Sequence, residues 1–137
     1  MKKEVECLVY KPNEIMKGWN VQKTQAYERL HKIYQEQSPF RVIKLGGSYY
    51  IPKKTFASPL PANEFDKDEY KDLLYENFSV NDLAILLGCG RQKSYHLAKE
   101  AYESGSYFMV TRNAEGGNYN IPVLPFLKWL YWSYVKI

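Results

Sequence analysis

The chain repeats itself. The stretch NEIMKGWNVQKTQAYERLHKIYQEQSPFRV, from Asn13, lies over NDLAILLGCGRQKSYHLAKEAYESGSYFMV, from Asn81, at an offset of 68 residues. After a two-residue insertion the offset is 70, and GGSYYIPKKTFASPL, from Gly46, lies over GGNYNIPVLPFLKWL, from Gly116. Thirteen aligned positions are identical: Asn13/Asn81, Tyr27/Tyr95, Tyr34/Tyr102, Ser38/Ser106, Phe40/Phe108, Val42/Val110, Gly46/Gly116, Gly47/Gly117, Tyr49/Tyr119, Ile51/Ile121, Pro52/Pro122, Phe56/Phe126 and Leu60/Leu130. A repeat of this length is one supersecondary design used twice, so any fold assigned to one copy must suit the other. With 137 residues in all, each copy alone would have a marginal core.

The second copy is the easier to read. Ser79 with Asp82 three residues on resembles a capping box, with Asp in the place of Glu. Leu83, Ala84, Leu86 and Leu87 then define a short helix, and Gly88-Cys89-Gly90 breaks it. A second helix is expected from Arg91 to about Tyr102, with Ser94, Leu97, Ala98 and Ala101 on one face and Ser104-Gly105 at its end. Tyr107–Arg112 is strand-like, Asn113–Gly117 a loop and Tyr119–Ile121 a returning strand. The segment PFLKWLYWSYV reads as a third apolar helix, its Phe126 and Leu130 packing into the core. The first copy has the same order. Pro12 opens a helix that runs to Trp19, Asn20-Val21 turns, and Gln22–Gln35 buries Ala26, Leu30 and Ile33. Strands at Phe40–Leu45 and Tyr49–Ile51 flank Gly46-Gly47. Between the copies, Pro59 and Pro61 deny a helix at the start of the connector, while the spacing of Tyr70, Leu73, Leu74 and Asn77 predicts a short amphipathic helix over Asp66–Asn77.

The expected architecture is therefore α+β: two tandem winged helix-turn-helix units forming an internal pseudo-dimer. Residues 1–60 hold the first unit, 61–77 an acidic linker and 78–137 the second. Charge follows the same division. Residues 1–57 carry +6, residues 58–77 carry −4 and residues 78–137 carry +2, within a net charge of +4. Two basic lobes about an acidic connector suit a polyanion partner. No apolar stretch reaches the length of a membrane span and the N-terminus lacks a signal-peptide pattern, so a cytoplasmic protein without membrane insertion is expected. Cys7 and Cys89 are solitary, which predicts two small buried hydrophobes rather than a zinc site or a disulfide. His31 and His96 do not align and have no ligand spacing around them, so no metal is expected. No catalytic triad, phosphate loop or dinucleotide fingerprint is present. Neither enzymatic activity nor a cofactor is expected.

SVNDLAILLGCGRQKSYHLAKE, followed by a hairpin and IPVLPFLKWL, is similar to the excisionase and MerR-like helix-turn-helix families. Their pattern is a capped first helix, an LLG-type turn, a polar-started second helix with a Tyr, a wing and an I-P-x-x-x-F/L-x-x-x-L tail. The first copy departs from it where Trp19-Asn20 replaces Leu-Gly. Two such units fused in one short chain also resemble the small DNA-binding accessory proteins of conjugative type IV secretion in Gram-positive plasmids. That resemblance implies binding of double-stranded DNA near a transfer origin, alongside other conjugation or recombination proteins, with the two units acting as an internal dimer within a monomer.

A helix-turn-helix reads DNA with the first turns of its second helix. In the first copy Thr24, Glu28 and His31 lie opposite the buried face, with Lys23 and Tyr27 on the shoulder. The second copy places Gln92, His96 and Lys99 there, with Arg91 and Tyr95 beside them. Arg pairs bidentately with guanine and Gln with adenine, so Arg91 and Gln92 are the leading base readers. Lys23 and Lys93 suit phosphates, which position the protein without specifying sequence. Glu28 would accept from cytosine or discourage wrong sites. The wing loops, from Lys44 to Ser48 and from Arg112 to Asn118, pair basic residues with glycines, although Glu115 makes the second less favourable. Two other roles fit the same residues: an excisionase or transcriptional repressor of a mobile element, and a winged-helix protein-interaction module, which Glu28 and the acidic connector favour.

Overall fold

Pro12, Asn20, the Gly46-Gly47 pair, Ser79, Gly88 and Gly105 punctuate the chain, and each marks the end or turn of an element in a computed structural model that describes residues 5–36, 40–53, 56, 75–114 and 117–132. Among these residues the order is β1 (Val9–Tyr10), α1 (Pro12–Trp19), α2 (Lys23–Glu36), β2 (Ile43–Leu45), β3 (Ser48–Pro52), β4 (Asn77–Phe78), α3 (Val80–Leu87), α4 (Arg91–Ser104), β5 (Thr111–Arg112), β6 (Tyr119–Pro122) and α5 (Val123–Trp132). The fold is α+β, with two small antiparallel sheets ordered β1-β3-β2 and β4-β6-β5. Contacts divide the chain into two compact units, one Leu8–Leu60, the other Met1–Cys7 with Pro61–Ile137.

In the first unit Pro12 sits at the first position of α1, where its missing N–H is no loss. The helix ends at Asn20, which takes the left-handed conformation (φ 54°, ψ 48°). Ala26, Leu30 and Ile33 recur at helical spacing and put one stripe of α2 into the core. There Leu30 and Ile33 meet Ile15, Val42, Tyr49 and Ile51, with Tyr10, Trp19 and Phe40 packed at the edge. Gly46 and Gly47 both have positive φ (57° and 83°), as a two-residue hairpin turn between twisted strands requires.

The second unit follows the first at the sequence offset. Ser79 accepts from the Asp82 N–H while the Asp82 carboxylate accepts from the Ser79 N–H, closing the predicted capping box. Gly88 (φ 61°, ψ 36°) ends α3 where Asn20 ends α1. The sheet registers correspond as well: Tyr10 opposite Ile51 becomes Phe78 opposite Ile121, and Lys44 opposite Tyr49 becomes Arg112 opposite Tyr119. Ser94, in the place of Ala26, is fully buried, and its hydroxyl donates to the Val80 carbonyl at 2.6 Å. That bond ties the start of α3 to α4.

Several expectations are corrected. Phe40–Val42 and Tyr107–Val110 are not strand; pairing with β3 and β6 starts at Ile43 and Thr111, and the next residues of those strands, Ile51 and Ile121, pair with β1 and β4. Tyr107 instead has positive φ (64°), and Phe108 turns into the core. The expected connector helix lies mostly outside the described residues, but its end is not helical: Tyr75 is in a turn and Asn77 in β4. Strands β1 and β4 were not expected at all; two residues carry no period to read. The third helix starts at Val123, two residues early, and Phe126 and Leu130 are fully buried. Cys7 and Cys89 are only partly buried.

Candidate nucleic-acid interface

The second unit has an open cleft of about 850 Å³ between the starts of its two helices and its hairpin. Ser79, Val80 and Asn81 line it from α3, Arg91, Gln92 and Tyr95 from α4, and Arg112, Asn113 and Gly117 through Asn120 from the hairpin. Five of the candidate residues, Arg91, Gln92, Tyr95, Arg112 and Asn118, are thus gathered around one concavity. Local causes put them there. Gly88 and Gly90 turn the chain so that α4 starts beside the start of α3, and the Ser94 bond holds that pairing. Gly90 caps α4 without a side chain and its first turn holds no acid, so the positive end of the helix dipole is not offset by the helix itself.

The hairpin side of the cleft is braced. Arg112 donates from Nε to the Gly117 carbonyl at 2.9 Å, and its guanidinium lies 4.8 Å from the Tyr119 ring centre. Asn120 donates to Asn113 across the loop at 2.7 Å. The Tyr119 ring in turn meets Tyr95 at 5.7 Å and Tyr102 at 5.5 Å. Three tyrosines therefore fix the hairpin against α4. Tyr95 keeps part of its ring exposed toward the cleft, so it serves scaffold and surface together.

The first unit builds the same device. Tyr49 meets Tyr27 at 5.2 Å and Tyr34 at 5.5 Å, with Lys44 5.4 Å from the Tyr49 ring centre. Burial, then the hydrogen bond and field of Tyr27 and the field of Tyr34, push the Tyr49 phenol up to about 12. His31 joins this cluster: its Nδ1 is 2.6 Å from the Tyr49 hydroxyl and its ring lies parallel to Tyr27. It faces the ring cluster as well as the solvent. Lys23, Thr24 and Glu28 are exposed at the start of α2, while Ser48 and Lys44 are partly buried on the hairpin.

Of the remaining candidates, His96 and Lys99 are exposed further along α4, outside the cleft lining. Lys93 is partly buried and acts on Cys89, whose thiol burial pushes up while Lys93 pulls it down. Sequence reasoning missed Asn81, Asn113 and Asn120. Asn81 could have been found, since Asn13/Asn81 is an identical pair whose members are both exposed. Asn113 and Asn120 meet only through the hairpin register. No group of three or more potential metal ligands is found among the described residues, and no helix among them is long and apolar enough to cross a membrane. Compared with family models, with curated proteins and with solved structures, the chain matches none.

Proposed function

We propose that the chain binds double-stranded DNA through the second helix and hairpin of each unit, as a tandem winged helix-turn-helix protein. The convergence of Arg91, Gln92, Tyr95, Arg112 and Asn118 on one concave face carries this reading. A helix whose first turn enters the major groove brings the bordering phosphate strand against the residues between that helix and the wing. In this reading Arg91 and Gln92 meet base edges, and Asn81 and Asn118, on the same cleft, meet phosphate oxygens. The basic first half adds long-range attraction. From the resemblance of the fused pair to conjugative accessory proteins we take the biological setting, a cytoplasmic DNA-binding accessory of plasmid transfer; excision or repression on a mobile element uses the same chemistry.

Fluorescence anisotropy of the full chain with labelled duplex DNA tests the proposal. With roughly six phosphate contacts, affinity falls about a thousandfold between about 50 and 200 mM salt through counterion release. A flat salt response, or no binding at low salt, would point to a winged-helix pair used on protein partners.

A further inference from the structure

The two units differ in which kinds of polar group they hold at matching positions. Arg91 and Gln92 of the second unit stand where the first has Lys23 and Thr24; on the hairpin, Arg112, held by Gly117 and Tyr119, and Asn118 stand where the first has Lys44 and Ser48. The fork of Arg and the amide of Gln pair bidentately with base edges, whereas Lys is a point charge that suits phosphate, and Thr and Ser bond to any base. Further along the helix the difference grows. The first unit offers the Glu28 carboxylate, which repels phosphate, and His31, whose ring nitrogen is held at 2.6 Å by Tyr49. The second offers His96 and Lys99 at those positions, both exposed. Gln25 of the first unit is also engaged, its Oε1 accepting from the Gln22 N–H at 3.2 Å.

We propose that the units divide the work of DNA recognition: the second discriminates sequence through Arg91 and Gln92, and the first supplies affinity for any duplex through Lys23 and Lys44. The inference rests on the DNA-binding reading and narrows it. A chain of two equal readers would specify two separated runs of bases. This chain specifies one run, beside a protected stretch of unconstrained sequence.

The full chain is used to select from a random duplex library, and the selected and scrambled duplexes are then titrated with three proteins. The expected selection shows a single constrained run. Lys23→Ala with Lys44→Ala lowers affinity for both duplexes by the same factor and reduces the salt slope by about 0.9 per lysine removed. Arg91→Lys with Gln92→Ala keeps the charge and the salt slope, yet loses about 5- to 150-fold on the selected duplex for each bidentate pair and little on the scrambled one. All the changed residues except Lys44 are exposed, and circular dichroism melts check that the variants are folded. Two constrained runs of unlike sequence, or a shifted preference in the lysine variant, would overturn the division of labour and leave DNA binding intact. Failure to bind any duplex would remove both.

Discussion

Tyr27, Tyr34 and Tyr49 meet in the first unit as Tyr95, Tyr102 and Tyr119 meet in the second, with ring separations that agree within about half an ångström at each pair. Phe40 with Phe56 and Phe108 with Phe126 likewise both cross at 73°. The exposed charged and polar positions along the second helices behave in the opposite way: Lys23/Arg91, Thr24/Gln92, Glu28/His96 and His31/Lys99 all differ. What stayed the same is the geometry that holds a hairpin against a helix; what changed is the chemistry displayed on it. Packing tolerates little change because a lost ring leaves a cavity, whereas an exposed side chain can change at little cost to stability.

The cores are not equal, and this gives the largest expected effect. Phe126 is fully buried between Phe78, Phe108 and Trp129, while its counterpart Phe56 is 40% exposed. Phe126→Ala is expected to destabilise its unit by about 3–5 kcal/mol in urea unfolding, and Phe56→Ala by well under half of that. Equal losses would mean that the second unit has no firmer core.

Alkaline titration comes next. The Tyr49 phenol is raised from 10.0 to about 12, so the fold favours its neutral form. That preference contributes fully below pH 10 and is lost as pH rises through about 12. Unfolding free energies followed from about pH 9 to 12 should fall for the native chain and more weakly for Tyr49→Phe. Parallel slopes would remove Tyr49 as the cause.

A buried hydroxyl tests how closely the two backbones agree. Ser94→Ala should cost about 1 kcal/mol through the lost bond to Val80. The reverse change, Ala26→Ser, should be tolerated within about 1 kcal/mol if its hydroxyl reaches the Pro12 carbonyl in the same way. A cost of about 2–3 kcal/mol would show that no acceptor stands there. The smallest effect is at the turn. Asn20 has the positive φ that Gly88 has in the second unit, so Asn20→Gly should change stability by less than about 1 kcal/mol, toward a firmer first unit. A clear loss would assign the Asn20 side chain a role beyond the turn.

Elements with a period or a punctuating residue were legible in advance. The capping box at Ser79, the stripe of Ala26, Leu30 and Ile33, and the turns at Gly46-Gly47 and Gly88 follow from local chemistry, so the order helix, turn, helix, hairpin could be read twice. The strands β1 and β4 could not, because a two-residue strand exists only by pairing with β3 or β6. Among the candidate site residues, the place of Arg91 and Gln92 at a helix start follows from the Gly90 break before them. Their meeting with Arg112 and Asn118 around one cleft needed the hairpin register.

By itself the sequence determined the repeat, the helical stripes and the turns, since each depends on residues within a few positions of one another. Tertiary structure alone decided which polar groups face one another. His31 reads as an exposed helix residue until Tyr49, eighteen residues away, comes within 2.6 Å of it, and Arg112 reads as a mobile charge until Gly117 and Tyr119 hold it. Such contacts depend on where the hairpin is packed, which is set by the tyrosine cluster as a whole and by no single neighbouring residue.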